Sequence, residues 1–321
     1  MTYPVLTGLG AERLKAGPWR LVVVGAGGWL GLATLEMLHA LLGEDFQKRV
    51  VCFGSDHRTL NLRGGVTVSQ RPLSEIGHLP AVPSLVLHLA FLTQEKAKAM
   101  TPGDYDAANR AISGAVLGAL DAIGAEGVFV PSSGAVYMVP DPEAEASKRQ
   151  YGALKLEDEA SFAAWGEARG ARVALARVFN LSGPYINKQS SYALACFIAD
   201  ALAGRPILIR AARPVYRSFT AISELMSVVF GVLTDPVPAR ELFDTAGDQG
   251  LEMAEVAHLV AEVVGHGAGV ERPAFVDGPA DRYLGDISHY ARLRARYGVA
   301  AVAFSEQIRA TAVFMAEDSG R

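Results

Sequence analysis

Tyr151 and Lys155 stand four residues apart, a spacing that on a helix puts both side chains on one face and within reach of one ligand. A phenol of ordinary pKa, about 10, is a poor base at neutral pH, and a neighbouring ammonium favours its phenolate. Such a pair is suited to moving a proton on and off a hydroxyl or carbonyl oxygen. Ser133 follows the apolar run Gly127 to Pro131, and open α/β sheets present ligand-binding groups at the carboxyl ends of their strands. A second constellation is Gly25-Ala26-Gly27-Gly28-Trp29-Leu30-Gly31. Its glycines let the backbone turn sharply and approach a pyrophosphate, whose charge is met by amides at a helix N-terminus. Trp29, within this loop, either packs against the sheet or shields a bound cofactor. A third is Arg205, Arg210, Arg213 and Arg217, a stretch without an acidic residue, suited to gripping diphosphate oxygens through paired hydrogen bonds.

The elements that must position these groups can be read from short apolar runs: Arg20 to Val24, Val50 to Phe53, Leu85 to Ala90, Gly127 to Pro131 and Arg172 to Val178. Between them Leu30 to Leu42, Asp104 to Ile123 and Tyr151 to Arg169 have the length and composition of helices. Continuous apolar strands alternating with helices predict an α/β fold, a Rossmann-type doubly wound parallel sheet. After about Asn180 the alternation breaks, with helical stretches near Tyr192 to Ala203 and Leu251 to Val264. The expected division is a dinucleotide-binding domain over 1–180 plus roughly 216–250, and a smaller C-terminal substrate-binding lobe over roughly 181–215 and 251–321.

Composition excludes several classes of function. The 321 residues carry 30 basic and 34 acidic side chains, a formal net charge of -4. No global field attracts nucleic acid or an anionic membrane. Cys52 and Cys196 form no C-x-x-C spacing, and the seven histidines show no metal spacing, so neither a disulfide framework nor a metal site is expected. His88 reads as a packed histidine. The mean hydropathy of +0.20 is high, and Leu21 to Gly43 is long enough to span a bilayer. The glycines from Gly25 to Gly31 break it into a strand, a turn and a second segment, so a membrane span is not expected. With no signal-peptide pattern in the first 18 residues, the expected location is cytoplasmic.

The order and spacing of several motifs resembles the extended short-chain dehydrogenase/reductases, specifically the NAD-dependent epimerase/dehydratase branch that acts on nucleotide sugars. The motifs are Gly25, Gly28 and Gly31; Leu87-His88-Leu89-Ala90; Asn109; Phe129 to Tyr137 (FVPSSGAVY); Tyr151 to Lys155 (YGALK); Arg177 to Pro184 (RVFNLSGP); Arg217-Ser218-Phe219; and Asp286-Ile287-Ser288. The resemblance implies Tyr151 as general acid/base, Lys155 as the group that lowers its pKa and binds the nicotinamide ribose, and Ser133 as the hydroxyl orienting the reacting oxygen, with Ser132 the alternative. It implies that Gly25, Gly28, Trp29, Leu30, Gly31, Leu89 and Ala90 line the cofactor and that Asn109 supports the site through its helix. Asn180 and Arg217 would hold a nucleotide-diphosphate sugar, with Asn187 a further candidate. A homodimer paired through the helices near Asp104 to Ile123 and Tyr151 to Arg169 is implied as well.

The adenosine end leaves NAD and NADP open: Gly54, Ser55 and Arg58 lean towards a 2'-phosphate, whereas Asp56 suits the ribose hydroxyls of NAD. Where the family's dehydratases place an Asp-Glu pair after the hydroxyl residue, this chain has Gly134 and Ala135; Ser218 replaces the acid of an Arg-Asp-aromatic motif. Met138 follows Tyr137 where glycine is usual, and Phe91 adds an aromatic near the nicotinamide. The expected function is therefore nucleotide-sugar epimerisation or 4-keto reduction, hydride transfer at the sugar C4 without dehydration. The rivals are a reductase of a hydroxysteroid or aldehyde-type substrate, with an apolar pocket that does not need Arg217, and a dinucleotide-binding sensor without turnover.

Overall fold

β1 (Arg20–Val24) is buried along its whole length, and so is β5 (Ser84–His88), as expected for strands covered on both faces. The computed structural model describes residues 4–92, 96, 98–265 and 269–318. β1 pairs in parallel with β2 (Val50–Gly54) on one side and with β5 on the other. The sheet is completed by β3 (Arg58–Asn61), β4 (Thr67–Pro72), β6 (Ala125–Ser133), β7 (Arg172–Val178) and β8 (Arg240–Asp244), in the order β8-β7-β6-β5-β1-β2-β4-β3. Only the edge strand β3 runs antiparallel to its neighbour. The strand order reverses between β1 and β5, and at such a switch point the loops leaving the two strands diverge and open a crevice for ligand. The expected strands are all present, within a few residues at their ends. β3, β4 and β8 are additions that the continuous apolar runs do not mark.

Helices cover both faces. α1 (Gly8–Ala16), α2 (Trp29–Leu42) and α6 (Ile222–Leu233) pack together on one side; α3 (Pro102–Ala119) and α4 (Ala146–Arg169) pack on the other. Thr101 caps α3 by accepting from the Asp104 amide, and Gly170 ends α4 in the left-handed conformation. Beside the sheet, α5 (Ala193–Leu202), α7 (Met253–Val264) and α9 (Phe304–Asp318) pack on one another. A small sheet runs alongside them, in which Val215–Arg217 pairs antiparallel with Leu251–Glu252 and parallel with Asp281–Tyr283. α8 (Ile287–Tyr297) lies against β8 and α6. No helix among the described residues is long and apolar enough to cross a membrane.

A buried charge cluster ties these parts together. Arg63 makes a bidentate pair with Glu36 of α2 (2.6 and 2.8 Å) and an ion pair with Glu317 of α9 (3.5 Å). The Tyr185 hydroxyl donates to Glu36 and accepts from the Arg63 amide, with Tyr185 held at φ 65. The Arg63 and Glu36 side chains are each 7% exposed. Removing one member of such a pair leaves the other charge uncompensated in a dry site. Arg63→Met is therefore expected to lower the unfolding free energy by about 3–5 kcal/mol, read as a lower urea midpoint at unchanged slope. A loss under about 1 kcal/mol, the scale of an exposed pair, would show that water reaches Glu36.

Candidate active site

The glycine loop joins β1 to α2. Gly25 has φ +83, and a Cβ there would lie 2.5 Å from the Ala90 amide nitrogen, in the loop leaving β5. A Cβ on Gly31 would meet the Gly25 and Ala26 carbonyls at 2.5 Å. Both positions thus require glycine, and the cradle they form is one that any side chain would fill. Gly28 is the N-cap of α2, so the first amides of that helix, at Trp29, Leu30 and Gly31, have no acceptor within it and face an incoming anion. The residues present therefore fit the pyrophosphate of a dinucleotide. Leu89 donates its amide to Val24 at 2.8 Å, which brings the Leu89-Ala90 segment onto the same loop. The Trp29 indole donates to the Pro184 carbonyl (2.9 Å) and meets Tyr192 edge-on at 5.7 Å, so it bridges the loop to the chain that leads into α5.

At the adenosine end, Gly54 is tight against the Gln70 side chain, whose amide donates to the carbonyl and carboxylate of Asp56. Ser55 and Asp56 lie in an exposed bend. Arg58 starts β3 and reaches back over the glycine loop: a Cβ on Gly27 would fall 1.9 Å from its guanidinium. A cation thus sits beside the loop.

Ser133, Tyr151 and Lys155 come together at the carboxyl end of β6. The Ser133 hydroxyl accepts from the Ala135 amide at 3.2 Å, and Ser133, Tyr151 and Tyr283 line one cavity. Ser132, by contrast, donates to the buried Glu159 at 2.5 Å and is not part of the lining that Ser133 and Tyr151 share. Burial holds the half-buried Tyr151 phenol well above its ordinary pKa, while the neighbouring Ser133 works in the opposite direction. The Lys155 ammonium donates to the Pro131 carbonyl at 2.9 Å and lies 5.9 Å from the Tyr151 ring centre. Burial lowers Lys155 itself to about 8, against the pull of Asp158 and Glu159. Asn109, expected to support the site through its helix, is 1% exposed and has both ends of its amide on backbone, accepting from Leu92 (2.8 Å) and donating to Tyr105 (3.1 Å). Its place is to hold the loop after β5. His88 is a packed histidine, bonded to Ser113 at 3.2 Å and driven by burial to about 3.

Two cavities open onto this edge. The smaller, about 350 Å³, is lined by Ser133, Met138, Tyr151, Arg217, Asp281 and Tyr283, among others. The larger, about 410 Å³, takes in Asn180, Tyr192, Cys196, Arg210, Phe219 and again Arg217 and Asp281. Arg217 therefore stands where they meet. Its partner is Asp281, at 2.8 and 3.2 Å, from the neighbouring strand, so the acid that position 218 lacks comes from elsewhere in the chain. Asn180 donates to the Ser218 carbonyl at 3.1 Å. The arginine series divides: Arg210 and Arg217 line the larger cavity, Arg205 pairs with Asp200, and Arg213 lies against Gly278. Asn187 is exposed and lines neither cavity.

Tyr283 is absent from the sequence reading. Its hydroxyl would lie 2.7 Å from a Cβ on Gly134, and its ring packs on Phe179 at 4.6 Å. It comes from the Pro- and Gly-rich stretch before Asp286, where no periodicity marks a strand.

Compared with known proteins, the sequence matches none of the curated ones. Solved structures are similar in fold. The UDP-glucose 4-epimerase of Thermus thermophilus in complex with NAD is 21% identical, with a TM-score of 0.65 over 92% of this chain and 98% of that one. DesIV, a dTDP-glucose 4,6-dehydratase from Streptomyces venezuelae with NAD bound, is 20% identical, with a TM-score of 0.69 over 94% and 98%. RMD from Pseudomonas aeruginosa complexed with NADPH is 23% identical, with a TM-score of 0.68 over 94% and 100%. Residues 21–243, more than half of the sequence, match the NAD dependent epimerase/dehydratase family, to which this chain belongs.

Proposed function

We propose that the chain is an NAD(P)-dependent nucleotide-sugar epimerase or 4-keto reductase acting at the sugar C4, with Tyr151 as general acid/base. The observation that carries this reading is that Ser133, Tyr151 and Tyr283 line one cavity, joined through Arg217 to a larger one. A sugar carbonyl in the smaller cavity would be oriented by Ser133 and protonated by Tyr151. The diphosphate would take Arg217 and the nucleoside would enter the larger cavity beside Asn180. A bound nicotinamide cofactor would supply or accept the hydride. Gly25, Gly28, Leu30, Gly31, Leu89 and Ala90 would hold its pyrophosphate side.

Two features favour net reduction. Burial keeps the Tyr151 phenol protonated at neutral pH, ready to give its proton to an oxygen that gains negative charge as hydride arrives. Arg58 over the glycine loop suits a 2'-phosphate, hence NADPH. Dehydration is disfavoured because Gly134 carries no acid and the Tyr283 hydroxyl fills the space beside it. Homodimerisation through α3 and α4, whose outward residues Ala111, Ala115 and Ala160 are small and exposed, belongs to the same proposal.

Tyr151→Phe should lower turnover about 10²–10⁴-fold in a panel of UDP, GDP, CDP and dTDP sugars and their 4-keto forms, the range for loss of a positioned acid/base. Full turnover in that variant would end the assignment. Arg58→Ala should weaken NADPH binding by roughly 10–100-fold, the loss of a charge-assisted hydrogen bond, and leave NADH binding nearly unchanged. Equal effects on both cofactors, read by fluorescence titration, would place Arg58 outside the phosphate site. Arg217→Ala leaving sugar-nucleotide affinity intact would favour a reductase of apolar substrates instead.

A further inference from the structure

Phe91 stands in the loop that leaves β5 and is anchored on both sides. Ala90 before it packs on Gly25, and Leu92 after it is pinned by α3, its amide donating to Asn109 at 2.8 Å and its carbonyl accepting from the Tyr105 hydroxyl at 2.7 Å. Between these anchors the ring meets both members of the Tyr151 and Lys155 pair. Its centre lies 3.6 Å from the Lys155 Nζ, and it meets Tyr151 edge-on at 5.4 Å and 88°. Lys155 is 4% exposed.

We propose that Phe91 is a positioning residue: its ring face holds the Lys155 ammonium against the Pro131 carbonyl, away from water and at a set distance from the Tyr151 phenol. The catalytic meaning of this contact rests on the proposed function; the contact itself does not. The ring acts in two opposed ways. By excluding water it favours the neutral amine, and by presenting its negative face it favours the cation. Other groups facing Lys155 are Tyr151 one turn before it, Asp158 and Glu159 one turn after it, and His88 from β5. Glu159 is itself bound by Arg177 of β7 and Ser132 of β6, and burial keeps His88 neutral. With Lys155 lowered to about 8, its charge is present below that pH and is lost as pH rises through it.

Two substitutions separate the effects. Phe91→Leu keeps most of the cover and removes the ring face, so the Lys155 titration midpoint should fall by about one pH unit. Phe91→Ala admits water, so the midpoint should rise towards the ordinary lysine value. The midpoints are read by NMR on cofactor-free protein carrying ¹³Cε-labelled lysine, with the Lys155 signal assigned by its loss in Lys155→Arg. The alkaline limb of kcat should move in the same directions. Displacement of both variants in one direction, or of neither, overturns the proposal. Should the alanine variant fail to fold, the leucine variant decides alone, since an unchanged or raised midpoint overturns it. Opposite displacements in a chain with no turnover on any nucleotide sugar uphold the contact and count against the proposed function instead.

Discussion

The approach of two backbones at the centre of the sheet, Gly25 against Ala90, is the constraint on which the rest of the site depends. A side chain at position 25 would overlap the Ala90 amide, and the positive φ there bars one in any case. Because the loops from β1 and β5 meet at this point, the N-terminus of α2 opens into the same crevice as Ser133 at the end of β6. The same approach fixes where Phe91 begins. Leu92, two residues on from Ala90, then falls within reach of Asn109 and Tyr105. A looser loop would leave the Lys155 ammonium uncovered and the glycine loop without its floor.

Charged pairs are used in two different ways in the molecule. The Arg63 and Glu36 pair is dry, and water cannot take the place of either partner, so it fixes α2 and α9 in one arrangement. The Arg217 and Asp281 pair spans the junction of the two cavities with Asp281 60% exposed, so water screens it and breaking it costs little. In the proposed function an arginine held in that way would exchange a carboxylate for phosphate oxygens. Position and exposure, more than the mere presence of an ion pair, separate a structural arginine from one that can meet a ligand.

What the sequence made legible follows from where the information resides. β1, β5 and the glycine loop announce themselves because burial on both faces demands continuous apolar runs and the turn demands glycine. The edge strands β3 and β4 do not: Arg58–Asn61 and Thr67–Pro72 mix buried with exposed positions, and their polar residues read as loop. Spacing brought Tyr151 and Lys155 to one helix face. It could not say that the ammonium turns to Pro131 and Phe91, a choice made by rotamer and by a loop about 60 residues away in sequence. Tyr283 was out of reach for a similar reason, since its approach to Gly134 exists only once the small sheet docks against the main one.

That docking bears on the kind of chemistry the site can support. Position 134 has no side chain, and what stands beside it is a phenol from another part of the chain. An ordinary phenol is about 6 pH units weaker as an acid than a carboxyl group, roughly 8 kcal/mol in the driving force for releasing a proton. Burial shifts Tyr283 further in the same direction. Were a sugar bound as proposed, such a group could hydrogen-bond one of its hydroxyls, but it is poorly suited to drive that hydroxyl out as water. Tyr151 is raised too, yet in the proposed reaction it would face an oxygen whose basicity climbs steeply as hydride arrives, so a weak acid would be matched to that step. Two phenols lining one cavity with a serine thus suit the proposed reaction, in which hydride would move and the sugar would keep all of its oxygens.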